Sequence, residues 1–145
     1  MVKPVVRAIA ICVVLRGGDI FVFEGHDAIK GENFYRPLGG TIEFGERSSQ
    51  AVLREMREEI NADVENLLYL GTLESIFIHE GQPGHEIVLV HQADFADTRL
   101  YDKESVMGRE DNGGQFKALW KPLADFQNGQ YPLYPDGLLE LLTTK

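Results

Sequence analysis

Apolar and polar positions along this chain predict mostly strands, with one strongly marked helix and a second at the C-terminal end. Residues 4–16 are rich in valine and isoleucine, Arg16 to Asp19 reads as a turn, and Ile20 to Phe23 follows. That pattern predicts a β-hairpin. Gly25 to Asn33 is polar and reads as a loop. Tyr35 to Phe44 includes Pro37 and Gly39-Gly40, which predicts short strands around a tight backbone feature. The period then changes. Ser48 and Ser49 are favoured N-cap residues, and Val52, Leu53, Met56 and Ile60 form an apolar stripe at helical spacing. Asn61 stands where a helix often ends in the left-handed conformation.

Downstream, Leu67 to Ile78 and His85 to Phe95 read as two strands separated by a turn from His79 to Gly84. Asp97 to Gly114 is polar and charged, which predicts an exposed loop. Phe116 to Trp120 reads as a last strand, with Trp120 a packing anchor, and Pro122 to Phe126 as a helical turn. Leu138, Leu139, Leu141 and Leu142 predict a C-terminal helix over Pro135 to Leu142. Strands with one central and one terminal helix predict an α+β fold, an α/β/α sandwich around a mixed sheet. Without a repeat or a low-complexity linker, residues 1–145 are expected to form a single domain.

Composition narrows the function. Fourteen basic residues against 23 acidic ones give a net charge of −9, which argues against a sequence-independent duplex DNA binder. Cys12 is the single cysteine and lies within the apolar run Ala8 to Leu15, so a buried structural thiol is expected. That run is too short to span a bilayer. Lys3 and Arg7 precede it as in a signal peptide, but Arg7 interrupts the run and strand-like alternation follows. A cytoplasmic protein without membrane contact is the expectation.

The chemistry concentrates in the helix. Glu55, Glu58 and Glu59 fall at i, i+3 and i+4, so the three carboxylates share one face. Like charges at that spacing cost an isolated helix roughly 0.2–0.5 kcal/mol per pair. A divalent cation bridging the oxygens turns the cost into a binding site. The apolar stripe is centred about 115° around the axis from the acids, by the ~100° per residue rule. The stripe is therefore free to face a core while the acids face a cleft.

The span from Gly40 to Ala62 is similar to the signature of the Nudix hydrolases: Gly, five residues, Glu, seven residues, Arg-Glu, an aliphatic, any residue, Glu-Glu, any residue, Gly, an aliphatic. Gly40, Glu46, Arg54, Glu55, Met56, Glu58, Glu59 and Ala62 sit in register, and Asn61 replaces the final glycine. Asn tolerates positive φ, so the helix end is expected to survive. The resemblance implies a loop–helix–loop within the family's sandwich fold and hydrolysis of a diphosphate linkage in a nucleoside diphosphate joined to another group, with Mg²⁺ or Mn²⁺. It implies that Glu55, Glu58 and Glu59 bind metal, with the Gly40 carbonyl assisting. Arg54 would hold the glutamates, Glu46 would support them, and Glu55 is the first candidate for catalytic base.

Other candidates stand on weaker patterns. Glu110 and Asp111, in the polar loop before Trp120, are further candidate bases, although loop acids are commonly just solvated. Tyr35 and Arg36 are candidates to stack on a base or grip a phosphate. Glu86 is a substrate-binding candidate because alternation points it opposite to Ile87. His26, His79 and His91 have no partner at metal-ligand spacing, so surface or turn roles are expected. The partner implied is a small nucleotide or nucleotide conjugate, and a homodimer is compatible. The alternative is a non-catalytic nucleotide-sensing module on the same fold. No Ser-Gln-Pro-Trp-Pro-Phe-Pro tract of the NADH-hydrolysing relatives is present, and Phe34 to Gly40 departs from the Trp-Glu-Phe-Pro-Gly-Gly form of many MutT-type enzymes.

Overall fold

A computed structural model describes residues 4–144, so Lys3 lies outside the described residues. The elements run β1 (Val6–Val13), β2 (Leu15–Arg16), β3 (Asp19–Asp27), β4 (Glu32–Arg36), β5 (Leu38–Thr41), α1 (Ser48–Ile60), β6 (Val64–His79) and β7 (Gln82–Phe95). A 3-10 turn (Thr98–Asp102), β8 (Ser105–Arg109), β9 (Gln115–Pro122), α2 (Leu123–Gln127) and α3 (Leu138–Thr143) complete the chain. One sheet has the order β5-β1-β7-β6, and the other β2-β3-β9-β8 with β4 beside β3. The fold is α+β, and the first sheet is mixed because β1 runs parallel to β7 and antiparallel to β5.

β1 does not form the predicted hairpin with Ile20 to Phe23. Both of its faces are apolar, with Ile9, Ile11 and Val13 on one and Ala10 and Cys12 on the other, all buried. Such a strand belongs in the middle of a covered sheet rather than in a hairpin with one wet face. The chain then crosses to the second sheet, where the hairpin shrinks to the pair Leu15 with Ile20 and Arg16 with Asp19.

The alternation in β1 separates two cores. Ala10 and Cys12 face Val52 and Met56 of α1, together with Phe21, Phe95 and Trp120. Ile9, Ile11 and Val13 face Val88, Val90, Phe126 and Leu138 on the opposite side. The sheets therefore lie between α1 on one side and the C-terminal helices on the other. Cys12 is buried, and burial pushes its thiol up to about 12, as befits a structural thiol. Trp120 packs against Phe21 and Phe95 and stacks on Tyr101.

Three predicted loops are partly strands. β3 and β4 extend into Gly25 to Asn33 from both ends, with Gly25 opposite Phe34 and His26 opposite Asn33. β8 occupies part of Asp97 to Gly114, and the turn between β6 and β7 contracts to Glu80-Gly81. In each case the segment folds as a local hairpin, with partners such as Asp27 and Glu32, His79 and Gln82, or Arg109 and Gln115 close in sequence. At α1 the N-cap is Arg47, whose N–H is bonded by the Gln50 side chain, and Ser48 opens the helix itself. Asn61 is left-handed as expected, with φ 53°, and its N–H meets the Arg57 carbonyl. The last helix begins at Leu138, three residues after the predicted start at Pro135. Among the described residues, no helix is long and apolar enough to cross a membrane.

Candidate active site

α1 presents its acids along the edge of the first sheet because β5 passes directly beneath it. Gly39 must be glycine: with φ 157°, a Cβ there would collide with the Ala10 carbonyl of β1. Gly40 must be small for a different reason. A Cβ on Gly40 would lie 2.5 Å from the Glu55 carboxyl carbon, so the Glu55 carboxylate rests on bare backbone. Glu55 is buried, and burial raises its carboxyl above the usual range, with Asp111 and Glu58 adding to the rise and Arg54 opposing it.

Arg54 is the hub. Its Nε and Nη2 donate to the two oxygens of Glu46 at 2.8 and 3.0 Å. Nη1 donates to Glu55 at 2.8 Å and Glu58 at 3.2 Å, and Nη2 also reaches the Thr41 carbonyl at 2.9 Å. Two parallel charge-assisted bonds fix the guanidinium plane. That pairing holds Glu46 down to about 2, so Glu46 is a permanent anion supporting Arg54 rather than a proton carrier.

Glu59 behaves differently from its two neighbours. Its carboxylate accepts from the Gly39 N–H at 3.1 Å, turning toward β5. Burial, then the charge on Glu55, push its carboxyl up to about 8. The third acid that converges with Glu55 and Glu58 is instead Asp111: one oxygen from each of the three lies within 4.8 Å of the others. Asp111 comes from the β8–β9 turn, tightened by the Glu110 N–H bonded to the Gly114 carbonyl at 2.8 Å. Three carboxylates at this spacing, one seated on a glycine, suit a hard divalent cation that takes oxygen ligands.

Beside the acids, a cavity of about 830 Å³ opens between the two sheets. Arg36, Glu86 and Glu110 line it, and Phe23, Phe34 and Phe77 supply aromatic surface. Glu110 therefore faces the cavity while Asp111 joins the acids. Arg36 Nη2 stands 3.9 Å from Glu86, and Arg7 flanks the same carboxylate at 3.9 Å.

A family model described as NUDIX domain matches residues 5–140. The chain belongs to the Nudix family. A protein described as NAD-capped RNA hydrolase NudC, from Pectobacterium carotovorum, is 30% identical over 128 residues, which is 86% of this chain and 40% of that protein. One of the same description from Pseudomonas aeruginosa is 36% identical over 69 residues, 48% of this chain and 24% of that one. This chain matches only a minority of the length of these curated relatives. The MutT NUDIX hydrolase from Burkholderia pseudomallei superposes with a TM-score of 0.67 at 20% identity, covering 97% of this chain and 98% of that one. An ADP compounds hydrolase gives 0.61 at 16% identity, covering 97% and 72%. At these identities the structures show the Nudix fold alone.

Within this Nudix chain, Glu46, Arg54, Glu55 and Glu58 form one bonded cluster, with Gly40 beneath it and Glu59 turned aside. Tyr35 is not brought to the cavity. It is buried in the core facing Phe126 and Tyr131, and its hydroxyl donates to Glu24 at 2.8 Å. Adjacent strand residues point to opposite faces, so with Arg36 at the cavity Tyr35 must turn away. Phe34, which shares the face of Arg36, takes the aromatic position that was expected of Tyr35. His91 is also not at the surface: it is buried and its Nε2 meets the Ser48 hydroxyl at 2.8 Å, tying α1 to β7.

Asp27 is a functional candidate that sequence reasoning missed. Its Oδ1 accepts from the Ile29 and Lys30 N–H groups, each at 3.0 Å, and its Oδ2 from the Glu80 N–H at 2.8 Å. It thereby latches the β6–β7 turn of one sheet to the β3–β4 turn of the other, at the cavity rim. The signal available was an Asp followed by Ala-Ile-Lys-Gly, the sort of side-chain turn that Asp makes with backbone N–H groups two and three residues on.

Proposed function

We propose that this chain is a divalent-cation-dependent hydrolase that cleaves the diphosphate linkage of a nucleotide or nucleotide conjugate. The convergence of Glu55, Glu58 and Asp111 beside a cavity large enough for a nucleoside, which Glu110 next to Asp111 lines, carries the reading. Membership of the Nudix family and the hydrolase names of its relatives support it. Glu55, Glu58 and Asp111 would hold Mg²⁺ or Mn²⁺, with Glu59 close by. The cation supplies charge to polarise phosphate oxygens and to make a bound water acidic.

The chain's own groups divide the remaining work. Arg54 keeps Glu55 and Glu58 in one orientation, so no reorganisation is needed when charge develops on phosphorus. Glu55, through whichever carboxylate oxygen the cation leaves free, would take a proton from the attacking water. Arg36, which lines the cavity 3.9 Å from Glu86, would receive the diphosphate oxygens. The aromatic cavity receives the nucleoside, and Asp27 ties together the two turns at its rim.

The test is a hydrolysis screen with Mg²⁺ over nucleoside triphosphates, dinucleoside polyphosphates, nucleotide sugars and NAD, with products identified. Cleavage at a diphosphate bond that is lost in a Glu55→Gln, Glu58→Gln variant is the expected result. Nucleotide binding without turnover would leave a sensing module instead.

A further inference from the structure

The floor of the cavity carries two polar side chains that are largely buried. Glu86 and Ser75 are 7% and 5% exposed, both line the cavity, and among the described residues neither side chain makes a hydrogen bond. The guanidinium groups of Arg7 and Arg36 each stand 3.9 Å from Glu86, close enough to attract it and too far to bond. The Glu86 oxygens keep contact with the cavity they line, where a ligand can supply donors to them.

The order of these groups is set by the sheet. Arg7, Glu86 and Ser75 occupy registered positions on β1, β7 and β6, so they form one row across the first sheet. Read along the row, the floor offers a donor from Arg7, then two acceptor oxygens from Glu86, then a hydroxyl. The opposite wall is aromatic, with Phe23 and Phe34 edge-to-face at 6.4 Å between centroids. Aromatic walls take a flat ring, and the floor selects which edge that ring presents.

Resting on the nucleotide-hydrolase reading above, we infer that the cavity is a purine site selective for guanine. Its edge carries an acceptor, O6, followed by two adjacent donors, N1–H and the 2-amino group. That sequence complements Arg7 and the two oxygens of Glu86. Adenine carries a donor, the 6-amino group, followed by an acceptor, N1, which places a lone pair against the carboxylate. A site built to receive two donors rejects the analogue that lacks them.

Equilibrium binding of guanosine, inosine and adenosine to the full chain, without metal, tests this. Guanosine should bind roughly tenfold or more tightly than adenosine, with inosine between them because it keeps N1–H and lacks the amine. Glu86→Gln places an amide donor beside an acceptor, a pattern that suits adenine. The preference should then shrink to about twofold or reverse, which a merely structural role for Glu86 would not produce. Equal binding of the three by the wild-type chain overturns the inference, since Glu86 would then be reading ribose or nothing. So does no binding of any, or an unchanged preference in Glu86→Gln at unchanged melting temperature. Nucleosides contain no diphosphate. Guanosine selectivity without any turnover would therefore defeat only the hydrolase reading, and hydrolysis without base preference only this inference.

Discussion

The Glu55 carboxylate sits against the bare α-carbon of Gly40, where a methyl group would come within 2.5 Å of its carboxyl carbon. Two residues far apart in the chain thus share one volume. The glycine defines where the buried acid ends, and hence where a cation meets it.

Gly40→Ala should therefore be an active-site mutation with little effect on folding. The new methyl displaces the Glu55 carboxylate by a fraction of an ångström or more. Misplacement on that scale costs catalysis on the order of 10²-fold. The measurement is hydrolysis against Mg²⁺ concentration beside a thermal melt. Near-wild-type turnover would mean that the Glu55 position is not critical.

Arg54→Ala removes the partner of a buried acid and should destabilise the fold by about 2 kcal/mol. That is below the usual cost of breaking a fully buried pair, because this site opens to solvent. Adding Glu55→Gln should restore much of the loss, since the charge left unpaired is then gone. Denaturant melts of the two single variants and the double give the coupling directly. Strict additivity would contradict the hub role of Arg54.

Asp111 and Glu110 are neighbours with different surroundings, and their variants should separate. Asp111→Asn should weaken Mg²⁺ binding about tenfold by removing one charged oxygen ligand. Glu110→Gln should leave cation affinity within about twofold, since Glu110 lines the cavity rather than the acid cluster. Calorimetric titration with Mg²⁺ distinguishes them, and equal losses would remove Asp111 from the cation site.

The legibility of these features in the sequence follows the range of the interactions involved. The helix from Ser48 to Ile60 and its left-handed end at Asn61 rest on local spacing, and residue order alone exposes them, whereas the support Glu46 gives Arg54 is legible only through the family resemblance of the whole span. Asp111 does not: it joins Glu55 and Glu58 only because β8 pairs with β9 and packs beside α1. β1 is similar. Its two apolar faces signal burial, but its neighbours β5 and β7 lie far along the chain. Tyr35 was open to better reading, because strand parity allows only one of Tyr35 and Arg36 to face the cavity.

Glu59 makes stability and cation binding depend on pH in opposite directions. Its carboxyl is pushed up to about 8 in the folded chain, first by burial and then by Glu55, against an ordinary value of 4.5. Between those values the folded state holds a proton that the unfolded state has released. Stability of the metal-free protein from this group is thus fully present below about pH 4.5. It is lost as pH rises toward 8 and is constant beyond. Deprotonated Glu59 adds a negative charge beside the other acids, so Mg²⁺ affinity should rise across the same window, with proton release on binding. Glu59→Gln should flatten both profiles between pH 6 and 8.5, ~two units of which lie below the titration midpoint. Melting temperatures with and without Mg²⁺ across that range provide the check. Profiles that keep their slopes in Glu59→Gln would assign the titration to another acid of the cluster.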